Sequence, residues 1–362
     1  MNMLQIILRL PTNLQVACRV TDAMEHSLSS FSKLVAGISL SVAALSSNAS
    51  AQLSHQVDWT VHDPSLVGAI RTAEFSPRGR YVAYAAEFTR QVMIRRSSDG
   101  SLVTTLAGSA NMGVSEAQFS PMSGQVAATW SITGWTLAVF GGAETFGPGS
   151  TGPLLTTTDH DSFVTSLAWS PNSLTLLTGS TEGIAALVDA NTGLPILEVD
   201  HGVEIRDVAF SADGLLFATA GVDGAINIWD ANSGALVRVL VAHLGAVSQI
   251  EFHDDNTHIA TGGGLPQVDT QIHVFNYTNG TLVTSHTIQN EEVTGLEFIA
   301  GGTLLMSTDY SGILRISESF GPNEVTTIDA GRGPRITSLD VHEGRGKYVY
   351  GTGDGWVTMA SR

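Results

Sequence analysis

The chain repeats a short apolar motif seven times at nearly constant intervals, and this repeat restricts the possible fold more than any other feature. Each copy is a strand-like run that ends in a large apolar residue and often continues with Ser-Pro, as in "TAEFSP" and "SLAWSP". These final residues, here called anchors, lie 41 to 50 residues apart: Phe75, Phe119, Trp169, Phe210, Phe252, Phe298 and Val341. Such a period predicts a chain built from structural repeats.

Each repeat has the pattern of four short antiparallel strands. A β-branched residue stands five positions before every anchor: Ile70, Val114, Val164, Ile205, Val247, Val293 and Ile336. β-branched residues fit a packed, pleated surface, so each repeat is expected to begin with a buried strand. A glycine follows fourteen residues after four of the anchors, at Gly183, Gly224, Gly312 and Gly355. This glycine predicts a tight hairpin turn, after which runs such as "AINIWD" alternate like a strand.

The fourth repeat contains the chain's only Trp-Asp pair, Trp229 and Asp230, and it resembles the WD40 repeat. The resemblance covers residues 55–361 and implies an all-β, seven-bladed β-propeller of four-stranded antiparallel blades. The last repeat supplies only three strands, so residues 55–62 are expected to complete the last blade and close the ring. Eight blades, with one unrecognised copy between Phe119 and Trp169, is the alternative. The glycine and proline content of that interval favours a long loop.

In WD40 families a buried hydrogen-bond network of His, Ser or Thr, Asp and Trp often fixes each blade, and the resemblance implies such networks here. In the fourth repeat the matching residues are His201, Thr219, Asp223 and Trp229. The fifth repeat matches with His243, Thr261 and Asp269 but has Phe275 for the tryptophan, and the third matches with His160 and Thr178. The other four repeats lack the histidine, so their blades are expected to rely on apolar packing.

The segment 33–52 has the pattern of an export signal. One lysine precedes an apolar core, residues 34–45, and the small-residue pattern Ala49-Ser50-Ala51 follows, which predicts a cut after Ala51. The core is too short to span a bilayer, and a buried amphipathic helix is the alternative. Met24 would be a more ordinary start, so residues 1–23 are interpreted as a mis-called start. The sequence thus predicts an export region, 1–51, and one propeller domain, 52–362, in the periplasm or outside the cell.

Charge and cysteine content limit the partners. The net charge is −17, and removal of residues 1–51 makes it one unit more negative. An acidic surface repels phosphate backbones, so no nucleic-acid partner is expected. The acidity favours solubility or basic partners. The single cysteine, Cys18, lies before the predicted cut, so no disulfide is expected, and the domain 52–362 is expected to lack a membrane span.

No motif indicates catalysis, a metal or a cofactor. The chain lacks a nucleophile elbow, a phosphate loop and paired-cysteine metal motifs. The histidine in "TDHDSF" is His160, which the repeat itself explains. The stretch "FHDDNTH", Phe252 to His258, fits a solvated turn, with a weak surface cation site as the alternative.

The resemblance therefore implies a non-catalytic scaffold that binds protein or peptide partners through the loops around the central channel. Residues six positions before the anchors should approach that rim, and those suited to recognition are Phe163, Glu204, Glu292 and Arg335. The alternative is a propeller enzyme at the channel mouth, such as a hydrolase, lactonase or oxidoreductase. Such a site needs several convergent charged groups, and this register offers only Glu204, Glu292 and Arg335 at the rim.

Overall fold

Inner strands that end at the anchors organise the observed fold. The computed structural model describes residues 55–63, 67–89, 91–107, 113–131, 136–140, 155–157, 160, 162–264, 269–287, 291–329 and 335–362. The export region 1–51 therefore lies outside the described residues. The compact unit that contains the described residues runs from Leu53 to Arg362.

The described strands form seven four-stranded antiparallel sheets, here called blades and numbered in chain order of their inner strands. Blade 1 comprises β2 (Ile70–Phe75), β3 (Tyr81–Ala86), β4 (Gln91–Arg96) and β5 (Leu102–Ala107). Blade 2 comprises β6 (Gly113–Phe119), β7 (Val126–Ser131), β8 (Thr136–Phe140) and β9 (Leu155–Thr157). Blade 3 comprises β10 (Val164–Trp169), β11 (Thr175–Ser180), β12 (Ile184–Asp189) and β13 (Pro195–Asp200).

The remaining blades follow the same order. Blade 4 comprises β14 (Ile205–Phe210), β15 (Leu216–Gly221), β16 (Ala225–Asp230) and β17 (Leu236–Val241). Blade 5 comprises β18 (Val247–Phe252), β19 (His258–Gly263), β20 (Ile272–Asn276) and β21 (Thr281–His286). Blade 6 comprises β22 (Val293–Ile299), β23 (Leu304–Asp309), β24 (Ile313–Glu318) and β25 (Glu324–Asp329). Blade 7 comprises β26 (Ile336–His342), β27 (Lys347–Thr352), β28 (Trp356–Ser361) and β1 (Gln56–His62), with a short 3-10 helix, Glu343–Arg345, after β26.

The inner strands contact one another in a closed circle, in the order β2, β6, β10, β14, β18, β22, β26 and back to β2. The outer strand of blade 7 is β1, which pairs antiparallel with β28 from Gln56↔Ser361 to His62↔Trp356. The prediction of an all-β propeller with four-stranded antiparallel blades is confirmed. The face at which the inner strands begin is called the top face below.

The hydrophobic core lies between neighbouring blades. Ala83, Val92 and Ile94 of blade 1 pack against Val114 and Phe119 of blade 2 in one buried cluster. Similar clusters join blades 4 and 5 and blades 5 and 6. Because each β-branched residue that starts an inner strand is buried, the inner strands hold neighbouring blades together through apolar contact.

Turn chemistry explains the hairpins. The four glycines fourteen residues after the anchors all have a left-handed backbone, with φ between 82° and 89°: Gly183, Gly224, Gly312 and Gly355. A side chain at Gly224 would also collide with the backbone oxygen of His243, 2.2 Å from the position of a Cβ atom. Glycine is therefore required there by both conformation and space.

Candidate functional site: the channel and its top mouth

A β-bulge repeats in every inner strand and determines which side chains face the channel. In each blade the pairing between the inner strand and the next strand shifts between the positions five and three before the anchor, as between Ile205 and Asp207. A bulge leaves one extra residue unpaired and re-aims its side chain. The extra residue lies four positions before the anchor, which places Arg71 and Arg206 at the top mouth of the channel.

The channel holds a cavity of about 870 Å³, and acidic side chains dominate its polar wall. Six of the described inner-strand carboxylates line it, one or three positions before an anchor: Glu74, Glu116, Asp207, Glu251, Glu297 and Asp340. The inner strands contribute this acidic belt in addition to the charged rim residues that the sequence identified, Glu204, Glu292 and Arg335. A sequence signal was present, since six of the seven repeats have an acid at one of these two positions.

Four of these carboxylates link one blade to the next. Asp340 accepts from the backbone N–H of Phe75 at 2.5 Å, Glu74 from that of Phe119 at 2.8 Å, and Glu116 from that of Leu167 at 2.7 Å. Asp207 accepts from the N–H of Ile250 at 2.8 Å and from the Ser166 hydroxyl at 2.8 Å. These bonds satisfy backbone donors that face the channel, so this part of the belt has a structural role.

Two carboxylates of the belt differ from the others. No hydrogen bond from a described residue reaches Glu251 or Glu297. Burial, together with the nearby charges of Asp207, Asp254 and Asp340, raises the pKa of Glu251 to about 8. Burial and the neighbouring Glu251 also raise the pKa of Glu297 well above its ordinary value. These two side chains are thus available to a cationic group that enters the channel.

Aromatic and arginine side chains surround the top mouth. Phe163, one of the residues predicted for the rim, is 46% exposed and lines the cavity. Phe88, which follows β3, is 62% exposed and lines the same cavity. Gly113 of blade 2 also lines it, and a Cβ there would meet the backbone oxygen of Glu87 at 1.7 Å. Only glycine therefore fits at this close approach of blades 1 and 2.

The other predicted rim residues have partners of their own. Glu292 lines the cavity, and burial raises its pKa while Arg206 and Arg71 lower it. Glu204 is paired with Arg206, with 3.1 Å between Oε1 and Nε. Arg335 lies over the Tyr310 ring, 5.6 Å from the ring centre. The sequence-based prediction of the rim missed Phe88 and Tyr310, because it considered only the positions directly before the inner strands, whereas both residues lie in turns after second strands.

The residues assigned to the blade networks lie close together near the top face. In blade 4, the Trp229 indole N–H donates to the Thr219 hydroxyl at 3.0 Å, and that hydroxyl lies 2.6 Å from His201 Nδ1. The Asp223 carboxylate lies 3.6 Å from His201 Nε2, which is an ion-pair distance and too long for a hydrogen bond. The link to the aspartate is therefore the weakest part of this network.

Blades 3 and 5 lack the tryptophan but keep the rest. His160 lies 2.7 Å from the Thr178 hydroxyl and 3.2 Å from Glu182 Oε1. His243 lies 2.9 Å from the Thr261 hydroxyl and 3.1 Å from Asp269 Oδ1. Each buried imidazole thus has a hydroxyl on one nitrogen and a carboxylate on the other.

The expectation that the other blades rely on apolar packing needs a correction for blades 1 and 6. In blade 6, Arg315 and Asp309 form a buried ion pair of 2.7 Å. In blade 1, Arg95 donates to the Tyr84 hydroxyl at 2.6 Å and pairs with Asp63 at 3.3 Å. An arginine paired with a carboxylate therefore adds a polar contact in both blades, buried in blade 6 and partly buried in blade 1.

The stretch considered as a weak cation site forms a closed turn. Asp255 accepts from the backbone N–H groups of Thr257 and His258, and its other oxygen lies 2.7 Å from His258 Nδ1. His253 Nε2 lies 3.1 Å from the backbone oxygen of Gly302. The polar atoms of this turn bind one another, which agrees with a solvated turn at the bottom face.

The closed ring of four-stranded blades is a β-propeller, and the repeated histidine networks agree with the resemblance to WD40 repeats. A family model described as "Eukaryotic translation initiation factor eIF2A" matches residues 153–293, less than half of the chain. Among solved structures, a chain from the "Crystal Structure of Mitotic Checkpoint Complex" is similar, with 22% identity, coverage of 85% of this chain and 95% of that chain, and a TM-score of 0.73. No curated protein matches.

This structural likeness concerns the fold alone. Chains of solved structures with a matching fold number 1920, and one fold of this kind supports many unrelated functions. Function must therefore be argued from the surface of this chain. Within the described residues no helix is long and apolar enough to cross a membrane, and a chain with one cysteine cannot form an internal disulfide.

Proposed function

We propose that this protein is a non-catalytic scaffold that binds a protein or peptide partner at the top mouth of its channel. The observation that carries the proposal is the exposure of two phenyl rings, Phe88 and Phe163, on the wall of one cavity. Arg71, Arg206 and Tyr310 line the same cavity. Aromatic and arginine side chains dominate the binding energy of protein interfaces, so this mouth has the composition of a recognition surface.

The carboxylates in the channel below the mouth indicate that the partner carries a basic residue. Glu251 and Glu297 line the channel without a hydrogen bond from a described residue, and their raised pKa values show the cost of burying negative charge there. A cationic side chain that entered the channel would stabilise both carboxylates in the ionised form. The partner is therefore a segment with an apolar residue for the two phenyl rings and a lysine or arginine beside it.

The enzyme alternative has less support, because four of the six carboxylates of the acidic belt already accept backbone or hydroxyl donors. Such carboxylates serve the structure and are poorly placed to act as general acids or bases.

The proposal can be tested with rim variants of the purified protein. Partners are first identified by crosslinking, and the affinity of each purified partner is then measured for the wild-type protein and for Phe88→Ala with Phe163→Ala. Loss of both rings should weaken binding by about tenfold or more, which corresponds to about 1.4 kcal/mol. Replacement of both Glu251 and Glu297 by Gln should lower the affinity for a basic partner to a similar extent.

A matched control separates the mouth from the rest of the surface. Phe320→Ala removes an equally exposed ring, 43% accessible, which contacts His253 and His258 at the bottom face. Binding should not change in this variant. Equal affinity of the wild type and the Phe88/Phe163 double variant for every identified partner would contradict the proposal.

We also propose that the scaffold acts outside the cytoplasm, in the periplasm or as a secreted protein. The order of one cation, an apolar core and the Ala49-Ser50-Ala51 pattern supports export with a cut after Ala51. N-terminal sequencing of the mature protein tests this, because the proposal requires Gln52 as the first residue. A mature protein that keeps residues 34–45 would contradict it.

A further inference from the structure

Blade 5 contains a group of side chains that the interaction surface does not use. His243, Asp269 and His273 each place one nitrogen or oxygen atom so that the three atoms all lie within 4.8 Å of one another. Two imidazoles and one carboxylate are ligand types that suit a divalent transition cation, above all Zn²⁺. Among the described residues this is the one group of histidine, cysteine or acidic side chains that meets the distance condition.

The fold places these residues together by a change in the repeat. His243 precedes β18, and Asp269 lies in the connection before β20, where the blade network requires them. His273 lies in β20 and pairs with Thr261 of β19. At the matching position blade 4 has Asn227 and blade 3 has Ala186. The third ligand is thus a feature of blade 5 and is not needed for a blade network as such.

The loss of the tryptophan in blade 5 changes what His243 and His273 contact. Blade 4 satisfies its threonine hydroxyl with the Trp229 indole, but Phe275 in blade 5 has no donor. The ring of His273 packs against that of His243 at a tilt of 34°, with 4.7 Å between the ring centres. His273 Nδ1 is buried there and has no hydrogen-bond partner. A buried nitrogen without a partner is costly, so this atom points to a missing ligand.

The other polar atoms of His243 and Asp269 make hydrogen bonds of the kind that orient metal ligands. His243 Nε2 lies 2.9 Å from the Thr261 hydroxyl, which fixes the ring and leaves Nδ1 on the side of Asp269. The second oxygen of Asp269 accepts from the Leu244 N–H. Metal-ligating histidines and carboxylates are usually oriented by such contacts. Two of the three ligands, His243 and Asp269, are thus oriented before a cation arrives.

We propose that His243, Asp269 and His273 are the three protein ligands of a Zn²⁺ site that fastens the top of blade 5. The cation would join the segment before β18, the connection before β20 and β20 itself, which belong to three different parts of the blade. The imidazole ligands favour Zn²⁺ over Mg²⁺ or Ca²⁺, since the latter two prefer all-oxygen sites.

The test uses the full chain after dialysis against a chelator. Titration with ZnCl₂ is followed by calorimetry, and Co²⁺ is added as a spectroscopic probe of nitrogen ligation. The wild-type protein should bind one Zn²⁺ per chain and unfold at a higher temperature with the metal than without it. His273→Asn, which installs the residue of blade 4, should weaken Zn²⁺ binding more than about 100-fold, because loss of an outer contact alone costs about 10- to 100-fold.

Two further variants make the result decisive. His258→Asn removes an imidazole from another histidine–aspartate pair, His258 and Asp255, 2.7 Å apart, and should leave binding unchanged. Asp269→Asn keeps the size of the ligand and should also lose the metal, which covers the case that His273→Asn folds poorly. The proposal is overturned if the wild type binds no Zn²⁺, if His273→Asn and Asp269→Asn bind it as tightly, or if His258→Asn loses it.

Discussion

At the scale of single residues, the three histidine networks show how much one contact can change. His201 is buried and holds the Thr219 hydroxyl at 2.6 Å, while its partner Asp223 keeps 44% of its side chain in solvent. An exposed carboxylate at 3.6 Å contributes little, because water competes for it. The histidine and the tryptophan therefore carry most of the stabilisation in blade 4.

This difference predicts unequal effects of two substitutions in blade 4. His201→Ala should lower the free energy of unfolding by about 2–4 kcal/mol, since it leaves the buried Thr219 hydroxyl short of a partner and opens a cavity. Asp223→Asn should lower the free energy of unfolding by less than about 1 kcal/mol. Urea unfolding of both variants measures the two values. Equal losses in both variants would show that the carboxylate is as important as the ring.

The residues of these networks could be found from the sequence, but their geometry could not. The offsets from Phe210 identify His201, Thr219 and Trp229, because a repeat places equivalent residues at equivalent positions. Whether the imidazole reaches Asp223 depends on differences of less than 1 Å in one turn, which no spacing encodes. The Arg315–Asp309 pair of blade 6 was missed because its residue types differ from those of the histidine networks.

At the scale of strands, the bulge in each inner strand explains why carboxylates line the channel wall while Arg71 and Arg206 lie at its top mouth. The extra residue turns Arg71 and Arg206 toward the top mouth, and the carboxylates of the following residues line the wall. In a strand without a bulge, side chains alternate regularly between the two faces, and either the arginines or the carboxylates would have pointed between the blades. The sequence could predict the strands from their β-branched starts, but a bulge leaves no distinct mark in the pattern, so the acidic belt was missed.

The belt predicts that stability falls as the pH rises from about 6.5 to 8. Burial raises the pKa of Glu116 and Glu251 to about 8, so the native state holds protons that the unfolded state has already released. Burial lowers the pKa of His201 and His243 below 6.5, so these rings are neutral in the native state, whereas histidines of the unfolded state lose their remaining protons just above pH 6.5 and offset part of the fall there. The native state therefore loses about 1 kcal/mol or more relative to the unfolded state.

The pH effect can be measured as the urea midpoint at pH 6.5 and at pH 8. Glu116→Gln combined with Glu251→Gln should flatten the dependence, since the amides have no proton to lose. Glu198→Gln, an exposed residue of an outer strand, is the matched control and should leave the slope unchanged. A stability that rises between the two pH values would contradict the assignment of raised pKa values to the belt.

At the scale of the whole molecule, the closure of blade 7 decides whether the ring has a free sheet edge. β1 covers β28 over its full length and hides the backbone groups of that strand. Lys347 reaches across to Asp58 at 2.9 Å and adds a contact between β27 and β1. The closing strand was predictable, because the last repeat lacks one strand and residues 55–62 have a strand-like pattern without a repeat of their own.

Removal of the closing strand should destabilise the ring and expose an edge. A variant that starts at Asp63 should unfold at a lower temperature and form dimers or larger species, since an open β28 can pair with another chain. The control starts at Gln52 and keeps β1. Light scattering and thermal unfolding compare the two. A monomeric Asp63 variant with unchanged thermal unfolding would show that β1 contributes nothing to closure.

The same closure determines how the ring responds to mechanical force. Gln56 lies opposite Ser361 and His62 opposite Trp356, so the two chain ends leave blade 7 side by side at the same end of the β1–β28 ladder. Tension applied between these ends loads the ladder one hydrogen bond at a time, as in unzipping, whereas shear would load all of them at once. The β1–β28 pairing is therefore the place at which pulling on both ends opens the ring, at a low force and before any other blade is disturbed.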